Sequence, residues 1–116
     1  MDEICERFLA TLEAKDWKAM AATLDPALEW HGPKGDRTDR AVDYIEVLQR
    51  SVAPLVDYRV DALCETTRGT LVMIELVQRF EMGGSTKVVP EVMVFDVDQA
   101  AGRIRRLSVY WREADH

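Results

Sequence analysis

The sequence has little cysteine, and its two cysteines stand far apart. Cys5 lies near the N-terminus and Cys64 near the middle, and neither belongs to a Cys-x-x-Cys pair or to a metal-ligand spacing. Zinc sites and disulfide frameworks depend on such spacings. We therefore expect two reduced, buried cysteines, no metal site and no cofactor.

Long hydrophobic runs are also missing. No stretch approaches the 18 apolar residues that a membrane-spanning helix requires. The first residues are acidic, and no apolar signal-peptide core follows them. These absences predict a cytoplasmic protein without a membrane partner.

The sequence also has no excess of basic residues, because its net charge is −6. Nucleic-acid binding needs a basic face that releases counterions from phosphates, so we expect no nucleic-acid partner. The chain has 116 residues, of which 47% are hydrophobic and 31% charged. This length and composition predict one globular domain, residues 1–116.

The first half of the chain repeats its apolar residues with the period of an α-helix. Ile4, Phe8 and Leu12 recur every four residues, and Tyr44 and Leu48 do the same further on. The pattern predicts helices at residues 2–15, 17–24 and 39–52. A short strand, Leu28–His31, is predicted between the second and the third helix.

After Pro54 the apolar residues alternate with polar ones, which is the period of a strand. Short breaks divide this half into segments close enough to pair as antiparallel hairpins. Helices followed by a meander indicate the α+β class. The predicted strands are Val56–Thr66, Thr70–Met82, Thr86–Asp98 and Arg103–Arg112.

The alternation places two polar side chains on the apolar side of the predicted sheet. Gln78 shares that side with Leu76, and Glu91 shares it with Met93. A glutamate there either faces a pocket or guards a sheet edge against aggregation. Inside a pocket, desolvation would raise the pKa of Glu91 and make it a general acid or a partner for a base.

Several motifs together resemble one family. They are "LDP" after the second helix, the strand "LEWHGP", and the ending "VVPEVMVFDVD" with "GRIRRLSVYW". They resemble the SnoaL-like branch of the nuclear transport factor 2-like superfamily over nearly the whole chain. The resemblance implies a cone-shaped α+β barrel, with three N-terminal helices packed on a strongly bent, mostly antiparallel sheet. It also implies a pocket, where related isomerases, epoxide hydrolases, dehydratases and polyketide cyclases keep their acid–base groups.

The chain departs from two enzyme patterns within that superfamily. Ketosteroid isomerases carry a tyrosine and an acid where this chain has Phe8 and Met93 (or the residue before it). Limonene epoxide hydrolases carry an arginine and an aspartate two residues apart, which Arg79 and Glu81 resemble in spacing. Their second aspartate is replaced by Val109. Steroid isomerisation and hydrolysis by two carboxylates are therefore disfavoured.

His31 and Glu91 are the predicted catalytic residues. His31 ends the first strand beside a Gly-Pro turn, where the related enzymes place catalysts, and imidazole exchanges protons near neutral pH. The alternative for His31 is a half-exposed residue at a strand end. The predicted substrate-binding residues are Trp17, Tyr44, Tyr58, Gln78, Met93, Val109 and Trp111.

Two functions follow from these predictions. The first is a small-molecule pocket protein that performs cofactor-independent acid–base chemistry of the isomerase, cyclase or hydratase/hydrolase type on a small apolar substrate. The second is a non-catalytic ligand-binding or homodimerisation domain of the same fold. A homodimer through the convex sheet face is expected in either case, because Val77, Val92, Val94 and Tyr110 make that face apolar.

Overall fold

Three helices and six strands follow one another in the computed structural model, which describes residues 1–111. The elements are α1 (Glu3–Ala14), α2 (Trp17–Ala21), β1 (Leu24–His31), β2 (Arg37–Thr38), α3 (Ala41–Ser51), β3 (Val56–Arg68), β4 (Leu71–Met82), β5 (Ser85–Asp98) and β6 (Arg103–Trp111). Arg112, the predicted end of the last strand, lies outside the described residues. The three predicted helices and the four-strand meander are thus confirmed.

The six strands form one sheet in the order β2-β1-β6-β5-β4-β3. β1 runs parallel to β6, and every other pair is antiparallel. The predicted α+β class and mostly antiparallel sheet are therefore confirmed. The sheet is open, because β2 and β3 form two edges that do not pair with each other in the described part of the chain.

Short polar side chains begin the two N-terminal helices. Asp2 accepts a hydrogen bond from the Cys5 backbone N–H at 3.0 Å, which caps α1. Asp16 caps α2 in the same way through Ala19, at 3.1 Å. Between them Lys15 adopts a left-handed conformation, with φ 56°, and ends α1. One short polar stretch thus separates the two helices.

β1 begins earlier than the pattern predicts, and α2 ends earlier. The second helix was predicted to extend to residue 24, but α2 ends at Ala21, and Pro26 lies inside β1. Its position is tolerated because the pairing with β6 shifts between Leu24 and Glu29, so the proline interrupts no regular ladder. The short strand β2 was not predicted, since two residues carry no readable alternation.

Irregular pairing interrupts the long strands at defined points. The register of β3 against β4 shifts between Val56 and Arg59 and again between Ala62 and Cys64. Asp57, inside the first irregularity, has φ 52°. Bulges of this kind bend a strand and increase its twist. They curve the sheet around the helices and turn one face into a concave wall.

The hydrophobic core lies between the helices and this concave face. In β4 the buried residues are Val72, Ile74 and Leu76, and in β5 Met93 and Phe95 continue the same face. Cys5 is buried in the core. Cys64 is exposed, so the prediction of two buried cysteines is wrong for Cys64, which lies on the edge strand β3. No helix in residues 1–111 is long and apolar enough to cross a membrane.

The convex face of the sheet, turned away from the helices, carries a second set of apolar residues. Tyr110 is 60% exposed and Met73 45% exposed. Val77, Val92 and Val94 are half-buried. Val92 pairs directly with Tyr110 across β5 and β6. A contiguous apolar patch of this kind typically marks a protein interface.

We predict that this convex face joins two copies of the chain. Light scattering at micromolar concentration should give twice the chain mass of 13.2 kDa. Tyr110→Arg should lower that mass toward the monomer, because it places an unpaired charge in the centre of an isologous contact. A matched change at the exposed Arg103, Arg103→Ala, should leave the mass unchanged. A monomer mass for the unaltered protein would contradict the prediction.

Candidate functional site

A cavity of about 600 Å³ opens at one end of the concave face. Its walls come from α1, α3, β1 and the strands β3 to β6, so every layer of the fold contributes. The wall is mostly apolar, as is typical of small-molecule sites. Its aliphatic part includes Leu12, Leu48, Val52, Met93 and Val109.

Three polar side chains on neighbouring strands form part of this wall. Tyr58 lies on β3, Gln78 on β4 and Glu91 on β5. Gln78 pairs with Val89, and Leu76 pairs with Glu91, so Gln78 and Glu91 are diagonal neighbours on one face. Diagonal neighbours of this kind are within reach of long side chains.

The three groups form one hydrogen-bonded chain. The Tyr58 hydroxyl donates to Oε1 of Gln78 at 2.9 Å. Nε2 of Gln78 donates to Oε2 of Glu91. Both bonds point toward the carboxylate, so the chain supports the charged form of Glu91. It also holds the carboxyl group in one orientation.

Glu91 is buried, with 5% of its surface exposed. Burial raises its pKa from 4.5 to about 7, and the hydrogen bond from Gln78 offsets part of this rise. The carboxyl group is thus divided between its two protonation states near neutral pH. A group in this condition can both accept and return a proton.

Two tyrosines line the cavity near Glu91. Burial, and then the nearby charge of Glu91, raises the pKa of both Tyr44 and Tyr58 well above the ordinary value. Both phenols therefore remain neutral hydrogen-bonding groups. The Tyr58 hydroxyl is occupied by Gln78, whereas the Tyr44 hydroxyl has no hydrogen-bond partner among residues 1–111.

Most of the predicted site residues do line this cavity. The structure brings together Glu91 with six of the predicted substrate-binding residues. These are Tyr44, Tyr58, Gln78, Met93, Val109 and Trp111. The alternation of the strands had placed all but Tyr44 and Tyr58 on one face. Their roles in binding remain predictions.

His31 lies elsewhere, which corrects the prediction that it shares the cavity with Glu91. In β1 the alternation turns Trp30 inward, so His31 projects from the opposite face together with Glu29. Its side chain is 41% exposed, and Nε2 lies 3.9 Å from Oε2 of Glu29. The alternative of a half-exposed histidine at a strand end describes this position.

Trp17 also lies away from the cavity wall. It is partly buried and packs against the core from α2. That helix packs mainly against α1, α3 and β1. The prediction of Trp17 as a substrate-binding residue is corrected accordingly.

Trp30 lines the cavity wall and the loop after it forms the cavity rim, and neither was predicted from the sequence. Trp30 lies 5.3 Å from Tyr44, ring centre to ring centre, and both rings line the cavity. The signal was present in the alternation of β1, in which Leu28 and Trp30 are both buried. The rim residues Pro33, Lys34 and Asp36 carry no such signal, because a loop has no period.

The rim loop packs tightly on the cavity wall through Gly32. A Cβ atom at Gly32 would lie 2.7 Å from a ring carbon of Trp30 and 2.5 Å from a carboxylate oxygen of Asp36. Only glycine allows this approach. Further out, Nζ of Lys34 lies 5.6 Å from the centre of the Trp111 ring, a cation–π distance. The loop and the end of β6 thus meet at the cavity mouth.

No group of three or more histidine, cysteine, aspartate or glutamate side chains is placed to hold a metal ion in residues 1–111. The buried polar groups of the site are the carboxyl group of Glu91, the amide of Gln78 and two phenols; Lys34, Asp36 and Ser51 line it from more exposed positions. This set can bind a small apolar molecule and exchange a proton with it.

Comparison with known proteins identifies the family. The sequence profile of the SnoaL-like domain matches residues 5–107, which is most of the chain. The chain belongs to the SnoaL-like domain family. No curated protein matches the sequence.

Three solved structures share the fold of this SnoaL-like domain. A candidate SnoaL-like polyketide cyclase from Shewanella denitrificans OS-217 is 12% identical; the match covers 95% of this chain and 88% of that one, with a TM-score of 0.85. A hypothetical protein with a ketosteroid isomerase-like fold from Catenulispora acidiphila DSM 44928, in complex with trimethylamine, is 16% identical, with coverages of 97% and 88% and a TM-score of 0.85. An LEH-like epoxide hydrolase from M. tuberculosis is 23% identical, with coverages of 94% and 80% and a TM-score of 0.78. At these identities the likeness establishes the fold.

The raised pKa of Glu91 predicts how stability depends on pH. Folded Glu91 keeps its proton up to about pH 7, whereas an unfolded glutamate releases it near 4.5. The folded state therefore binds more protons in this window, so the stabilisation is complete below pH 4.5 and is lost as pH rises to 7. Relative to Glu91→Gln, the unaltered protein should lose up to about 3 kcal/mol of unfolding free energy across the window. Denaturant titrations from pH 4.5 to 7.5 measure this difference, and parallel pH profiles would contradict it.

Gln78→Leu should raise the pKa of Glu91 still further. The substitution removes the one side-chain donor that stabilises the carboxylate, so we expect a rise of about one pH unit. A ¹³C NMR titration of the glutamate carboxyl carbons measures it. Tyr58→Phe is the matched control, because it acts on Glu91 only through Gln78 and should give a smaller rise. An unchanged or lowered pKa in Gln78→Leu would show that the hydrogen bond does not tune Glu91.

Proposed function

We propose that this SnoaL-like domain binds a small, mostly apolar molecule in the cavity and performs cofactor-independent acid–base chemistry on it. The observation that carries the proposal is Glu91, a carboxyl group buried in an apolar cavity whose pKa of about 7 suits proton exchange. Gln78 holds the carboxyl group, and Tyr44 offers its hydroxyl beside it.

The arrangement supports a proton shuttle by a single residue. Ionised Glu91 removes a proton from a carbon next to a substrate carbonyl, and the electron pair of the C–H bond moves toward the carbonyl oxygen. The Tyr44 hydroxyl donates a hydrogen bond to that oxygen as negative charge develops on it. Protonated Glu91 then returns the proton to another atom of the substrate. The same carboxyl group is base in the first step and acid in the second.

One shuttling carboxyl group favours isomerisation or cyclisation over hydrolysis. In the first two reactions the proton that leaves the substrate returns to it, so one group suffices. Hydrolysis must also activate water, and the second carboxyl group of the cavity lining, that of Asp36, is exposed rather than buried with Glu91. The fold supports this class of function, because its neighbours include a protein described as a candidate polyketide cyclase.

A non-catalytic ligand-binding module is the second candidate. The displacement of His31 to the outer face favours it, because the predicted histidine–carboxylate pair does not exist in the cavity. The cavity and its apolar wall would then serve binding alone. The two candidates differ in whether bound ligand exchanges protons with Glu91.

Deuterium exchange into 2-tetralone tests the proposal. This small bicyclic ketone has an apolar body, one carbonyl oxygen and acidic C–H bonds next to it. In D₂O buffer the unaltered protein should speed the exchange at these carbons above the buffer rate, with a rate that rises through a pH near 7. Proton NMR of the ketone follows the exchange directly.

Two variants give the experiment its control. Glu91→Gln should reduce the exchange to the buffer rate while keeping the ketone bound, since glutamine preserves size and polarity but not the titration. Glu75→Gln removes the same charge from the exposed face of β4 and should exchange at the unaltered rate. Binding of the ketone without exchange would favour the binding module. Absence of binding would overturn both candidates.

A further inference from the structure

The carboxyl group of Glu91 is buried among mostly apolar side chains. It takes part in no ion pair within residues 1–111, and its one hydrogen-bond donor is the neutral amide of Gln78. Lys34 is the one basic side chain among the described cavity residues, and it lies at the rim over Trp111. Buried acids in proteins are almost always paired with a cation or neutralised. Among residues 1–111, no side chain therefore supplies the inner cavity with the positive charge that the ionised form of Glu91 requires.

Aromatic rings surround the space next to this carboxyl group. They come from four strands and one helix, so they approach the cavity from several directions. Aromatic faces attract cations because of their negative electrostatic potential, and the attraction strengthens where water is excluded. The rings that line the cavity are those of Trp30, Tyr44, Tyr58, Phe80 and Trp111.

We propose that the cavity, with Glu91 ionised, binds apolar amines in their ammonium form, and that these occupy the same space as the substrate of the proposed reaction. The ammonium group pairs with Glu91 and lies among the aromatic rings, while the apolar body fills the aliphatic part of the wall. The inference rests on the proposed function only in requiring that the cavity binds an apolar ligand.

A cation explains the site better than a neutral ligand does in the upper pH range. A carbonyl or hydroxyl oxygen is satisfied by hydrogen bonds from Tyr44 and from protonated Glu91, but it leaves the ionised carboxylate uncompensated. An ammonium group supplies both the charge and the donors that the carboxylate lacks. The net charge of −6 also attracts cations to the protein.

The pH dependence distinguishes the two ligand types, because few other groups at the cavity titrate between pH 5.5 and 8.5. Tyr44 from α3 and Tyr58 from β3 have pKa values well above this range. The charged residues at the rim, Lys34 and Asp36, are exposed to solvent. An aliphatic amine remains protonated at both ends. The change in affinity for an amine therefore reports the ionisation of Glu91.

A matched pair of ligands, 2-aminotetralin and 2-tetralol, tests the inference. They share one bicyclic skeleton and differ in an ammonium group against a hydroxyl group. At pH 8.5 we expect the amine to bind at least about 10-fold more tightly than the alcohol. At pH 5.5 the affinity for the amine should fall by up to about 30-fold, as Glu91 becomes protonated, while that for the alcohol changes little. Isothermal calorimetry or NMR titration measures both constants.

Glu91→Gln should abolish the preference for the amine at pH 8.5, whereas Glu75→Gln, which removes an exposed charge outside the cavity, should preserve it. The pH dependence of the unaltered protein provides the second readout if Glu91→Gln does not fold. Equal or tighter binding of the alcohol at both pH values would overturn the amine inference and leave the proposed function standing. If neither ligand binds, the amine inference and the proposed function both fall.

Discussion

The helices cover only part of the apolar face that the long strands create, and the site depends on this difference in length. α1 has 12 residues and spans about 18 Å, whereas the 14 residues of β5 span roughly 46 Å. Where helices are present, side chains close the space, as in the contact of Phe8 with Phe95 at 5.6 Å between ring centres. Further along, the same face forms the wall of a cavity together with residues of α3. The cavity is thus a consequence of how the two layers fit.

The carboxyl group of Glu91 lies in this cavity. Glu91 lies two residues before Met93 on the same face of β5, and Met93 belongs to the core. Glu91 is therefore buried like the core residues, although its side chain is polar. Burial favours the proton, and the hydrogen bond from Gln78 favours the charge. The balance leaves both forms accessible near neutral pH. As a consequence, the folded state becomes less stable as Glu91 ionises.

The two protonation states of Glu91 favour different ligands. The protonated form donates a hydrogen bond to an oxygen, and the ionised form accepts a proton or pairs with a cation. The SnoaL-like fold itself does not choose between these uses, since proteins with the fold carry different names and descriptions. In this chain the described residues place one buried acid in a cavity with two phenols and further aromatic rings, and no basic side chain among them pairs with that acid.

The sequence by itself determined the elements and the sharing of faces within the meander. A strand alternates strictly, so Gln78, Glu91, Met93 and Val109 had to lie on the apolar side once the register was recognised. The alternation of β1 also implies that His31 faces away from Trp30. The tertiary structure alone decided that Trp17 lies off the wall and that the rim loop reaches Trp111. It also decided the pKa of Glu91, because desolvation depends on α1, α3 and five strands that the chain brings together from distant positions. The local alternation of apolar and polar residues cannot predict contacts between segments that are distant in the sequence.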